Sequence, residues 1–180
     1  MSKEQQTAHE VRFTRVVGID VGAAAGAVVV ELVRDRLPGE GRLPGLGVRM
    51  VEAVGWSRWS DASVLAFIRA QQEAAPGSLL VAVEEPFTER REKKRHLRDV
   101  GRAQGLRAGK VLGICLERGI ETALVDPVGP DEAQRGWHLL GRPKGKGKDQ
   151  EHVGDASGIV LQALGRATGE KLCLPGGRLQ

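Results

Sequence analysis

The chain has 180 residues, with 27 Lys and Arg against 23 Asp and Glu, a formal net charge of +4, 25 glycines and two cysteines. That length suits one ordinary domain and excludes two full-sized ones. The cysteines, Cys115 and Cys173, form no C-x-x-C pair, which excludes a disulfide scaffold and a zinc ribbon and suits a reducing compartment. No apolar run approaches the ~20 residues of a membrane span. Met1 to Glu10 is polar and mixed in charge, unlike a signal peptide. The expectation is a soluble, cytoplasmic protein with no membrane partner. With three Trp, three Phe and no Tyr, aliphatic side chains and close backbone contacts must carry its core.

Residues 1–12 read as a flexible N-terminal arm, 13–168 as one domain and 169–180 as a C-terminal tail. Arg15-Val-Val-Gly-Ile-Asp20 is an apolar run ending in an acid and reads as a buried strand. A small-residue turn follows. Ala27–Val33 is β-branched, and residues 47–55 alternate, so both read as strands of an antiparallel meander, with a Pro/Gly loop at 38–45 between them. Ser60-Asp-Ala-Ser opens a helix that Pro76-Gly77 closes. Ser78–Val83 is a buried-type strand followed by Glu84. A charged stretch at 88–98 leads into a helix over 97–118, which Gly119 stops. Residues 120–125 read as a fifth strand, 131–140 as a short helix, 141–148 as a Lys/Gly loop and 150–165 as the last helix. Three hairpin strands followed by helix–strand alternation predict an α/β fold, a mixed sheet with helices on both faces.

Ionised carboxylates are rarely buried unless paired or metal-bound. An acid at a strand end is often merely solvated. Asp20 and Glu84, however, end two buried-looking strands, and the pair is harder to dismiss than either alone. Glu85 competes with Glu84; alternation from Ala82 favours Glu84. His152 and Asp155, three apart, share one face at the start of the last helix, where the macrodipole favours carboxylates. Such oxygen and imidazole ligands suit Mg²⁺ or Mn²⁺ better than zinc. Carboxylates bridging two such ions form a clamp for phosphodiester cleavage that needs no side-chain nucleophile. Cys115 sits in an apolar helical context and reads as core.

Four motifs occur in order: Gly18-Ile-Asp20-Val-Gly22, Val83-Glu84-Glu85-Pro-Phe87, Val100-Gly-Arg-Ala-Gln-Gly105 and His152-Val-Gly-Asp155-Ala156. Over about residues 14–165 the chain thereby resembles the RuvC branch of the RNase H-like superfamily, the Holliday-junction resolvases. The resemblance implies an RNase H-like, five-stranded mixed sheet in order 3-2-1-4-5. It also implies a homodimer acting in DNA recombination and repair, and Mg²⁺-dependent nicking of two opposed strands with two ions per site. The family's catalytic and metal positions fall on Asp20, Glu84, His152 and Asp155. Phe87 matches an aromatic that meets unstacked bases, and it also reads as a core Phe beside a strand end. The sequence departs from the family pattern in three places. Val21 stands where Pro is usual, Ala25-Gly26 where Thr-Gly is usual, and the Lys-x-Gln-Val run is missing from a shortened segment, as in a phage-type or diverged member.

Charge is uneven. Residues 86–118 hold ten basic and four acidic side chains, and 142–148 hold four basic and none acidic. Arg90, Arg91, Lys93, Lys94, Arg95, Arg98, Lys144, Lys146 and Lys148 are therefore the expected phosphate contacts, beside a site expected to take branched, four-way DNA. Gly101, Gly105, Gly109 and Gly113 recur every fourth residue, at a cost of roughly 1 kcal/mol each relative to Ala. Close packing on the chain's own sheet or on a second subunit would offset that cost. Other classes remain: a module that holds junctions without cutting, and an RNase H-like nuclease of the YqgF, RNA-processing type. The first motif also resembles the phosphate loop of actin and sugar-kinase ATPases, but 180 residues cannot hold their two domains.

Overall fold

The computed structural model describes residues 12–33, 41–43, 46–86, 95–140 and 149–168. Its strands are β1 (Arg15–Asp20), β2 (Ala25–Val33), β3 (Gly41–Leu43), β4 (Leu46–Trp56), β5 (Leu79–Glu84) and β6 (Glu121–Val125). Its helices are α1 (Asp61–Ala74), α2 (Arg95–Glu117), α3 (Pro130–Leu140) and α4 (Asp149–Thr168). The arm before residue 12, the 141–148 loop and the tail after residue 168 lie outside the described residues.

The sheet runs β3-β4-β2-β1-β5-β6. β1, β2 and β4 form the antiparallel meander, β5 lies parallel to β1, and β6 lies parallel to β5. Its five principal strands take the expected order 3-2-1-4-5. The sequence reading of 38–45 as pure loop is corrected at one point: Gly41–Leu43 pairs with the start of β4 as a short edge strand. Three residues flanked by Pro and Gly carry too little periodicity to announce it. The β2–β4 register slips between Val29 and Val30, whose partners are Glu52 and Met50. Val51 is the bulged residue between them, which accounts for an exposed valine in mid-sheet.

Strand alternation sorts the core into two layers. Val16, Val28, Val30, Leu80 and Ala82 face Val153, Ala156, Ile159 and Val160 of α4. Val17, Ile19, Val29, Val81 and Val83 face Val64, Phe67 and Ile68 of α1 and Ala108, Val111 and Cys115 of α2. Helices therefore cover both faces. Ser60 caps α1 by accepting the Ser63 N–H, and Gly119, at φ 64°, turns the chain out of α2 into β6. Among the described residues no helix is long and apolar enough to cross a membrane.

α4 lies unusually close to the sheet because glycine lines the seat. A β-carbon on Gly18 of β1 would stand 2.7 Å from Val160 Cγ2 and collide with the Ala156 carbonyl. One on Gly26 of β2 would stand 2.6 Å from the Val153 nitrogen and strike the His152 backbone. The first turns of α4 thus rest on bare backbone. At its far end, Arg166 ties α4 to the end of β6 through the Leu124 carbonyl and Asp126.

Candidate metal centre

The seat of α4 decides where its side chains arrive. Asp20 ends β1 on the α4 face, because the alternation that puts Ile19 in the other core layer turns Asp20 the opposite way. It is 5 % exposed. His152, in the first turn of α4, meets it: Nδ1 lies 2.6 Å from Asp20 Oδ2. Asp155 follows three residues on, along the same helix face. Ligand atoms of Asp20, His152 and Asp155 all lie within 4.8 Å of one another.

Glu84 stands at the matching end of β5, one residue beyond the Ile19–Val83 pair. Alternation from Ala82 turns it toward α4, while Glu85 is exposed. Its Oε1 accepts the Val128 N–H at 2.8 Å. Glu84 is not part of the tight three-residue group, although it feels the charge of Asp20 and Asp155. The four positions named from sequence thus come together at one end of the sheet as a close trio with a fourth carboxylate beside it.

The electrostatics are those of carboxylates crowded in low dielectric. Burial raises the pKa of Asp20, against the opposing pull of His152 and of the Gly22 and Val21 amides. Burial, with Asp20 adding repulsion, pushes Asp155 up to about 6. Burial is also the main cause at Glu84, opposed by the Val128 amide and reinforced by Asp20, Asp155 and Glu132, and the result is about 7. Hard oxygen donors with one imidazole are the set that suits Mg²⁺ or Mn²⁺, and a divalent cation would relieve this repulsion. The donor set therefore fits the expected metal.

A stability test follows from Glu84. An ordinary glutamate titrates at 4.5, so between that pH and about 7 the folded chain holds a proton that the unfolded chain has released. Folding stability must then fall as pH rises through that window. In chelator, Glu84→Gln is expected to flatten the decline and to gain about 1–2 kcal/mol above neutral pH. Urea denaturation across the window checks it, and an unchanged slope in the variant contradicts it.

Two contributors were not read from the sequence. The Val128 amide acts through backbone, which carries no residue-type mark. Glu132 accepts the Gly129 N–H at 3.1 Å and the Gln162 amide at 3.1 Å, and adds to the repulsion at Glu84. Its place three residues after Gly129 is a capping pattern that could have pointed to it. Of the expected DNA contacts, Phe87, Arg90, Arg91, Lys93, Lys94, Lys144, Lys146 and Lys148 lie outside the described residues. Arg95 and Arg98 fall in the first turn of α2, with their side chains outside the described set. Cys115 is buried, and burial pushes its thiol up to about 11, which suits core and not chemistry.

This strand order and helix placement are those of an RNase H-like fold. Over 88 % of this chain and 98 % of the other, it superposes on RuvC of Thermus thermophilus with a TM-score of 0.57 at 21 % identity. RuvC of the same organism in complex with a Holliday junction substrate gives 0.58 at 19 % identity, with the same coverage. The yeast mitochondrial Holliday junction resolvase Ydc2 aligns over 84 % of this chain and 81 % of its own, with a TM-score of 0.44 at 11 % identity. No protein-family model matches the chain, and no curated protein matches its sequence.

Proposed function

We propose that the chain is a divalent-metal-dependent endonuclease that resolves four-way or other branched DNA by paired nicking. The observation that carries this reading is the Asp20–His152–Asp155 trio, with Glu84 beside it, at the strand ends of a RuvC-type fold. Asp20, Asp155 and His152 would hold one ion, and Glu84 would help to hold a second. An ion held there would supply Lewis-acid chemistry, making a bound water more acidic and offsetting negative charge on the leaving oxygen. Asp20 contributes a nearly buried charge in low dielectric, where attraction to a cation is strong. The His152 Nδ1 contact fixes Asp20 and leaves the Nε2 lone pair as the imidazole's ligand for a cation. The Val128 amide fixes one oxygen of Glu84 and leaves the other for a cation.

A symmetric junction needs two opposed cuts, which a two-fold dimer supplies. α2 supports this reading. Among the described residues, β-carbons on Gly109 and Gly113 would meet nothing within 4 Å, so packing on the described sheet does not offset their cost in the helix. On the same outward stripe, Leu106 and Leu116 are 65 % and 82 % exposed. A second copy laid along that stripe would bury both. Leu116→Glu is expected to turn the dimer into a monomer by analytical ultracentrifugation, with its thermal midpoint little changed. A wild type that sediments as a monomer at high concentration removes the dimer.

The function is tested by incubating the protein with a synthetic four-way junction, matched linear duplex, RNA–DNA hybrid and single-stranded RNA, with Mg²⁺ and with chelator. Junction cutting that needs Mg²⁺ and spares duplex is the expected result. Equal cutting of hybrid or RNA moves the assignment to a YqgF-type or other RNase H-like nuclease. Junction binding without cutting makes it a binding module.

A further inference from the structure

The β4–α1 connection reads Trp56-Ser57-Arg58-Trp59-Ser60, and the nicking chemistry uses none of it. Trp56 is occupied by the core, edge-on to Phe67 at 5.4 Å. Trp59 also packs partly against that core layer, and it has further anchors. Its backbone N–H donates to the Ala23 carbonyl at 2.9 Å, in the turn directly after Asp20 and Val21. The same turn touches the metal centre from its other side: a β-carbon on Gly22 would lie 3.2 Å from His152 Cε1. The backbone of Trp59 is therefore tied to the turn that borders the site, while its ring rests on the α1/α2 core layer at the same end of the sheet.

Its surroundings leave a particular surface. Trp59 Nε1 donates to Asp61 Oδ1 at 2.6 Å, which satisfies the ring's single polar atom. Asp61 Oδ2 in turn takes Lys110 Nζ at 2.5 Å. The Arg107 guanidinium lies 5.9 Å from the ring centroid. Arg58, next in the chain, is exposed. Edge and one face of the indole are thus fixed, the ring stays partly exposed, and the charge around it is positive with its one contacting acid already paired. A rigid, part-exposed aromatic surface set among arginines matches an unpaired nucleobase with its phosphate. Base–aromatic stacking is sequence-tolerant, and arginine adds to it. A protein partner would be served as well by an apolar surface without this charge.

We propose that Trp59, flanked by Arg58 and Arg107, is a stacking ledge for an unpaired base of the DNA strand that runs past the metal centre. This rests on the nuclease reading for the identity of the strand, and its test separates the two. Fluorescence anisotropy in chelator measures binding of labelled single strand, matched duplex and four-way junction to the wild type, Trp59→Ala, Trp59→Phe and Arg107→Gln. Trp59→Ala is expected to weaken single-strand binding about ten- to a hundredfold. Duplex binding should stay within about twofold, and Trp59→Phe should keep most of the affinity. Single strand should also quench tryptophan emission in the wild type and much less in Trp59→Phe. That comparison decides the matter if Trp59→Ala does not fold. Unchanged single-strand binding in Trp59→Ala, equal loss of duplex and single strand, or equal quenching in Trp59→Phe overturns the ledge. A wild type that stacks single strand on Trp59 but cuts nothing supports the ledge and overturns the nuclease. One that cuts junctions while Trp59→Ala binds normally does the reverse.

Discussion

Asp20→Asn is expected to lower Mg²⁺-dependent junction cutting by about a thousandfold or more, since several kcal/mol of charge stabilisation at the reacting phosphate disappears with the carboxylate. The substitution is nearly silent in shape. The side-chain amide carbonyl it introduces would still accept from His152 Nδ1, as Asp20 Oδ2 does now at 2.6 Å. Removing a charge whose pKa burial already raises should leave the metal-free fold at least as stable. Junction binding should therefore persist within a few-fold if, as proposed, phosphate contacts by Lys and Arg supply the affinity. Gel-shift and cleavage assays on one preparation read both quantities. Retained cutting would show that the trio is not the catalytic centre. Joint loss of binding and thermal stability would show that Asp20 matters to the fold.

Gly26→Ala is the second large effect, and it acts through distance. The added methyl would stand within 2.6 Å of the Val153 nitrogen, against helix backbone that has no rotamer to escape into. α4 has to lift or tilt, at a cost of about 1–3 kcal/mol. Its first turns carry His152 and Asp155, so the same displacement opens the trio around Asp20. A misplacement of about 1 Å at a reacting centre costs on the order of a hundredfold in rate. The expected outcome is a folded, DNA-binding protein with a lower thermal midpoint and cutting reduced by about that factor. A variant of normal activity would mean that α4 tolerates a looser seat.

Asp20 and Glu84 could be read from the sequence because each breaks a local rule: an acid closing an otherwise apolar, β-branched run. His152 and Asp155 could be read because helical spacing puts them on one face above an apolar stripe. The mixed sheet followed from three hairpin strands preceding helix–strand alternation, and its strand order from the family resemblance. What escaped was carried by backbone or by partners distant in sequence. Glu84 leans on an amide 44 residues away. β3 exists only because β4 offers it an edge. Gly18 and Gly26 read as turn or strand glycines, and their use as a helix seat appears only once α4 is placed on them. The α2 glycines posed the opposite problem. Two packing partners fitted their spacing, and among the described residues nothing stands beside Gly109 and Gly113 to be the one within the chain.

The glycine seat also sets an order of events. Asp20 and His152 are separated by 132 residues, and the contact joins the first strand to the last helix. During synthesis the N-terminal meander can pair as soon as it emerges, but the metal centre cannot exist until α4 has been made and has docked. A chain stalled anywhere before residue 149 would carry Asp20 and Glu84 without their partners. For a protein read as cutting DNA, that delay is protective: a chain that stops short of α4 cannot assemble the trio.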